Sequence, residues 1–118
     1  MNLKGMALVL IIALAVAIPL YAHMKIEKTA PAADSMVNSA PKQIQVWFNE
    51  TPDIKVTKVS LTGPSGPAKL AAPSLDGKSI VAGVQGTLPD GAYTAAWQSA
   101  GDDGHVQRGE FKFTLKTK

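Results

Sequence analysis

The chain contains two histidines, His23 and His105, and each lies at a position where it could ligate a metal. If a leader is removed after Ala22, His23 becomes the first residue and carries two nitrogen donors, its free α-amine and its imidazole Nδ1. These close a six-membered chelate ring, and amine and imidazole nitrogens suit Cu(II), which prefers tetragonal nitrogen and oxygen donors. His105 would add a third nitrogen. Asp103, two residues earlier in the run Asp-Gly-His, would bind the same ion or orient the imidazole.

The spacing of this second pair predicts how it meets an ion. Alternate residues of an extended chain project to the same side, so Asp103 and His105 are expected to face one metal. Gly104 between them would let the backbone approach without a side chain in the way.

Residues 1–22 have the layout of a secretory signal peptide. A single early lysine precedes the nearly unbroken apolar run Met6–Leu20, and Ala22 is a small residue just before the predicted cut. The apolar run is shorter than the roughly 20 residues that span a membrane. An uncleaved membrane anchor and a cut after Ala17 are the alternatives. Cleavage after Ala22 leaves residues 23–118, which have room for one domain.

The composition excludes several classes of function. The chain has no cysteine, which rules out thiolate metal ligands, nucleophilic thiols and disulfides, and the domain must be stable by packing alone. The net charge is +3, and the basic residues are scattered without a run or stripe, so nucleic acid is a poor candidate partner.

Proline and glycine recur along residues 23–118 and leave no window for a long helix. Between them lie short runs that alternate apolar and polar residues or are rich in β-branched residues, as strands do. A register slip between Val56 and Val59 indicates a bulge or a twist. About seven short strands predict an all-β, antiparallel sandwich or small barrel. The predicted strands include Met24–Lys28, Lys42–Phe48, Lys55–Leu61, Ser79–Val84, Ala92–Gln98 and Glu110–Lys116.

Four blocks of the sequence resemble the CopC family, small exported copper-binding proteins of bacterial copper homeostasis and resistance. They are His23–Val37, Pro41–Glu50, Gly91–Trp97 and Asp103–Phe113, in the family's order and spacing. The resemblance implies a Greek-key β-sandwich of cupredoxin-like or immunoglobulin-like shape that binds Cu(II) in the periplasm. It also implies a possible partner, a membrane copper transporter of the CopD type.

The same resemblance implies a set of metal ligands. The family's N-terminal histidine matches His23, and its Asp-x-His pair matches Asp103 and His105. The acidic residue that follows the aromatic strand end matches Glu50, which is either a ligand, a group near the metal or a solvated carboxylate. An extra acid in Ala-Gly-Asp-Asp-Gly-His makes Asp102 an alternative to Asp103.

The sequence departs from the family in its methionines. Several members carry a methionine-rich loop that holds Cu(I), but residues 63–79 contain no methionine, and residues 23–118 contain only Met24 and Met36. A Cu(II) site without a Cu(I) site is therefore expected. Among the aromatics, Trp97 is predicted to lie in the core, whereas Trp47 would cover a second sheet face or reach the surface.

The leading functional prediction is a periplasmic Cu(II)-binding protein, not an enzyme, that sequesters or delivers copper. A structural or adhesive β-sandwich without a metal is the first alternative. The second is a copper monooxygenase built on an amine and two imidazoles. The small size of the chain and a carboxylate ligand, which favours Cu(II) over Cu(I), argue against it.

Overall fold

The computed structural model describes residues 24–118; the predicted signal peptide and His23 lie outside the described residues. Within this range the regular secondary structure is almost entirely strand, and no helix in it is long and apolar enough to cross a membrane. The elements are β1 (Ile26–Ala30), β2 (Ser35–Val37), β3 (Gln43–Phe48), the 3-10 turn η1 (Ile54–Val56), β4 (Lys58–Gly63), β5 (Gly66–Leu70), β6 (Ser74–Asp76), β7 (Ser79–Gln85), β8 (Gly91–Ala100) and β9 (Val106–Leu115).

The strands form one curled, hydrogen-bonded path in the order β1-β3-β7-β5-β4-β8-β9-β2, with β6 paired to β7. Strands β1, β3, β7 and β6 make one layer, and β5, β4, β8, β9 and β2 make the other. A short ladder between β5 and β7 joins the layers. All pairings are antiparallel except that of β2 with β9. The predicted all-β sandwich is confirmed.

A single hydrophobic core lies between the layers, because alternate residues of the central strands point inward. Strand β3 contributes Ile44, Val46 and Phe48, each at most 1% exposed, and β9 contributes Phe111 and Phe113. The predicted core position of Trp97 is partly met: its ring is half-buried and packs edge-on against Phe48, with centroids 5.1 Å apart.

Trp47 points away from this core. Its ring is half-buried, and the Lys28 ammonium group on β1 lies 4.4 Å from the ring centroid, in a cation–π contact. The pair covers the outer face of the β1–β3 layer, which is the first of the two positions predicted for this tryptophan.

Residues 24–118 form nine strands where about seven were predicted. The additional short strands β2 and β6 have three residues each, too few to show an alternating pattern. Strand β5, which was also not predicted, follows β4 after the two-residue turn Pro64-Ser65, with Gly66 at φ +106°.

The predicted strand Lys55–Leu61 is wrong in its first half. Residues Ile54–Val56 form η1, whose first turn is capped by the Asp53 carboxylate accepting a hydrogen bond from the Lys55 backbone N–H at 2.9 Å. The change of register between Val56 and Val59 therefore marks the end of this turn, not a bulge. The bulge that the structure does contain lies in β1, between Ile26 and Lys28.

Strands β8 and β9 form a ten-pair hairpin that carries the candidate site at its closed end. The open end is anchored by Tyr93, which is buried, stacks on Phe113 with centroids 5.3 Å apart, and donates its hydroxyl hydrogen bond to the Pro89 carbonyl. Burial, together with the nearby negative charge of Asp90, raises the pKa of the Tyr93 hydroxyl above its ordinary value, which keeps it a donor. The hairpin is thus held rigidly along its length.

Candidate metal site

The loop that joins β8 to β9 runs from Gly101 to His105 and is a tight turn. The Gly104 N–H donates to the Gly101 carbonyl at 3.1 Å, and Gly104 takes the left-handed φ of +74° that glycine adopts without strain. The Asp103 carboxylate accepts a hydrogen bond from the His105 backbone N–H at 3.0 Å, which is an Asx turn.

This turn brings the two predicted side chains together. Oδ2 of Asp103 lies 3.6 Å from Nδ1 of His105, whose side chain is 72% exposed. The expectation of an extended Asp-x-His segment is wrong: the backbone turns at Gly104, and that residue is required for its positive φ, since a Cβ there would meet no atom within 4 Å. Asp103 is the aspartate that pairs with His105. Asp102 takes part through its backbone.

Glu50 holds this loop from the opposite layer. It follows β3, and its Oε1 accepts a hydrogen bond from the Asp102 backbone N–H at 2.7 Å. A carboxylate acceptor makes this a charge-assisted bond, which is stronger than one to a neutral acceptor. A second tie lies nearby, where the Asp53 N–H donates to the Ala100 carbonyl at 2.8 Å. Glu50 is therefore engaged in the structure of the loop, in contrast to a merely solvated carboxylate.

The start of the described chain is fixed against the same loop. The Lys25 N–H donates to Asn49 Oδ1 at 2.7 Å, and the Asn49 N–H donates to the Lys25 carbonyl at 2.9 Å. Met24 is 2% exposed and belongs to the hydrophobic core. These contacts place the chain entry beside Glu50 and the β8–β9 loop.

Gly101 shows how closely these parts pack. A Cβ at this position would lie 2.8 Å from Cδ of Glu50 and 3.0 Å from Cβ of Met24, and it would also collide with Glu50 Oε1. No side chain larger than hydrogen fits without displacing one of them. The absence of a side chain here lets three segments that are distant in sequence meet at one end of the sandwich.

The structure brings some of the predicted site residues together and leaves others apart. Asp103 and His105 are in contact, and Glu50 is linked to their loop through Asp102, whereas His23 lies outside the described residues. Within residues 24–118, histidines and acidic residues form no group of three that could hold a metal ion. A complete site would therefore require donors in addition to those of the described part.

Three residues at this end of the fold were not predicted from the sequence: Asn49, Gly101 and Gln107. Asn49 and Gly101 position the chain entry and the loop. Gln107 lies two residues after His105, and its Nε2 is buried with no hydrogen-bond partner. A glycine directly before two aspartates is a turn signal, but nothing in the sequence indicated which side chains it must accommodate.

Fold and site together define a small all-β domain that exposes an imidazole–carboxylate pair at one end of the sandwich. The model of the CopC domain matches residues 26–116, and the chain belongs to the CopC family.

Two relatives are named copper resistance protein C. The protein from Escherichia coli is 35% identical over 111 residues, covering 86% of this chain and 87% of its own length. The protein from Xanthomonas campestris pv. juglandis is 31% identical over 105 residues, covering 81% of this chain and 82% of its own. Among solved structures, PcoC, described as a methionine-rich copper resistance protein from Escherichia coli, is 36% identical with a TM-score of 0.69. It covers 80% of this chain and 100% of its own.

Replacing Gly101 with alanine tests the packing of the loop. The new Cβ must displace Glu50 or Met24, so we expect Gly101→Ala to lower the free energy of unfolding by about 1–3 kcal/mol, as overpacking does, and to shift the amide NMR signals of residues 101–105. The matched control is Gly83→Ala, whose Cβ would meet Ala71 Cβ at an ordinary 3.9 Å. Equal effects of the two substitutions on stability and on the loop signals would show that the loop does not depend on this contact.

Proposed function

We propose that this protein is exported to the periplasm and binds Cu(II) there, to sequester copper or to hand it on. The observation that carries the proposal is the contact of Met24 with the loop that bears Asp103 and His105. Consecutive Cα atoms are 3.8 Å apart across a trans peptide bond. The proposed ligand His23 directly precedes Met24 in the sequence, and the described part of the chain begins beside that loop.

The donors available at this end of the fold suit Cu(II). If cleavage frees the α-amine of His23, the site gains an amine and two imidazole nitrogens, with the Asp103 carboxylate as an oxygen donor. Such a nitrogen and oxygen set favours Cu(II) among divalent first-row metals. The imidazole of His105 is largely exposed, which gives an ion access to it. Because the α-amine and the imidazole belong to the same terminal residue, metal binding has to order only that residue to gain both donors.

The described methionines do not favour a Cu(I) site. Met24 is 2% exposed in the core, whereas Met36 on β2 is 66% exposed. Two methionines in such different surroundings offer no common soft-ligand set of the kind that Cu(I) prefers. The proposal is therefore restricted to Cu(II). The small number of methionines distinguishes this chain from PcoC, which is described as a methionine-rich copper resistance protein.

We assign no catalytic role to this site. A copper oxygenase must alternate between Cu(I) and Cu(II), and a carboxylate ligand stabilises the higher oxidation state. A periplasmic carrier needs only capture and release, with a membrane transporter of the CopD type as a candidate recipient. A metal-free structural or adhesive β-sandwich is the competing function, and stoichiometric Cu(II) binding by the exported protein decides against it.

Extending the mature N-terminus by one residue tests the chelate. An Ala-His-Met start converts the His23 amine into a peptide nitrogen, so we expect the Kd for Cu(II) to rise by at least about 100-fold, more than the loss of an outer-sphere partner causes. Competition titration with a chelator measures this, and intact mass with and without copper fixes the cleavage point and stoichiometry. Tight binding by the extended protein would disprove terminal chelation, and no binding by the natural form would favour the structural function.

Substituting Glu50 separates a loop-holding role from direct ligation. Glu50→Gln keeps an oxygen acceptor for the Asp102 N–H but removes the charge, so we expect its Kd for Cu(II) to stay near that of the wild type. Glu50→Ala removes the acceptor, and we expect it to lose about 1 kcal/mol of stability and to bind copper more weakly. If Glu50→Gln weakens binding as much as Glu50→Ala, the carboxylate is itself a ligand.

Copper affinity is expected to fall in acid. Free imidazoles and α-amines take up protons near pH 6.5 and pH 7.7–8.0, and only their unprotonated forms bind a metal. Protons compete with Cu(II) for these nitrogens, so the Kd rises as the pH falls from about 8 to about 5. Titrations between pH 5 and pH 8 measure this. A constant Kd across that range would contradict nitrogen ligation.

A further inference from the structure

Gln107 has a buried hydrogen-bond donor near the candidate site, and no group in residues 24–118 accepts a bond from it. Its Nε2 has no hydrogen-bond acceptor within the described part of the chain. Buried polar groups in native proteins are nearly always paired, so an exception needs an explanation. A side-chain amide carries two N–H donors and cannot lose its polarity by changing protonation state.

The hydrogen bonds found around Gln107 do not include its side-chain amide. Its cross-strand neighbour on β8 is Ser99, which is fully buried. Thr57 Oγ1 donates to the Asp53 carbonyl at 2.7 Å, which uses the single hydroxyl hydrogen of Thr57. The 2.8 Å contact between Thr57 and Ser99 is therefore a bond donated by Ser99. Both hydroxyl hydrogens thus have acceptors, whereas the Gln107 Nε2 has none within residues 24–118.

The position of Gln107 points to the site above it. It lies on β9 two residues beyond His105, so the two Cα atoms are at most about 7 Å apart. It belongs to the inward-facing series of β9, together with the buried Phe111 and Phe113. Its side chain thus lies on the core side of β9, at the end of the strand that leads into the Asp103–His105 loop.

We propose that Gln107 is a positioning residue of the copper site, whose Nε2 donates a hydrogen bond to an oxygen ligand of the bound Cu(II). This inference rests on the proposed function. The chemistry fits, because Cu(II) accepts carboxylate or solvent oxygens and a metal-bound oxygen is a good acceptor for an amide N–H. The unpaired donor raises the free energy of the copper-free protein, and it gains a hydrogen-bond partner when copper binds. Gln107 therefore increases the free-energy difference between the two states and strengthens copper binding.

Replacing Gln107 with leucine tests the proposal in the full exported protein. Because leucine removes an unpaired donor, we expect the Tm of the copper-free protein to stay the same or rise. The rise in Tm on adding Cu(II) should shrink, the Kd should increase about tenfold, and the EPR spectrum of the bound Cu(II) should change. A role confined to the stability of the fold would not alter the spectrum.

The matched control is Gln98→Leu on the neighbouring strand. The Gln98 amide already donates to the Val56 carbonyl at 3.1 Å, so its loss should lower the Tm of both forms equally and leave the copper-induced rise unchanged. If Gln107→Leu behaves like this control, or if its Kd and EPR spectrum match the wild type, Gln107 has no role in the site.

Two further results locate the acceptor and separate the two proposals. Combining Gln107→Leu with Asp103→Ala identifies the oxygen: loss of the Gln107 effect assigns the Asp103 carboxylate, and its persistence assigns another oxygen ligand. Failure of the wild type to bind Cu(II) overturns the proposed function and this inference together. Wild-type binding with an unchanged Gln107→Leu overturns this inference alone.

Discussion

The charge-assisted hydrogen bond from the Asp102 N–H to the Glu50 carboxylate is the interaction on which this end of the molecule depends. It joins the loop after β8 to the end of β3, two segments from opposite layers of the sandwich. Gly101 allows the approach because it has no side chain, and Met24 closes the space from the third side. With the loop held in this way, the Asx turn of Asp103 can present His105 in one orientation.

The energetic consequence concerns the proposed metal site, because an ion that binds there would meet a loop that is already held in place. The β8–β9 hairpin is paired along ten positions and anchored at Tyr93, so its loop moves with a rigid element. A ligand site built on rigid elements loses less conformational entropy on binding than one built on a mobile loop. The chain has no cysteine to cross-link these segments. The sandwich must therefore supply the rigidity by core packing and by a few polar ties.

The buried polar side chains of the described chain differ in whether they have hydrogen-bond partners. Thr57 donates to the Asp53 carbonyl and accepts from Ser99, and the buried Gln45 donates to Ser79 at 2.8 Å. Gln107 is the exception in the described chain. A buried donor left unpaired two residues from an exposed imidazole departs from the rule that buried polar groups form hydrogen bonds. Such departures in native proteins concentrate at functional sites. The CopC family membership and the geometry thus direct attention to the same few residues.

The sequence by itself determined the all-β class and the inward faces of β3, β8 and β9, because alternation is a local property of the chain. Short spacing also indicated that Asp103 and His105 lie close together, but the turn at Gly104 that brings them into contact was not predicted. The sequence did not reveal β2, β6 or the 3-10 turn at Ile54–Val56, since segments of three residues carry no periodic signal. The meeting of Met24, Glu50 and Gly101, and the isolation of the Gln107 amide, were decided by the tertiary structure. Both features depend on residues that are far apart in the chain, and only the packing of one layer on the other sets the distances between them.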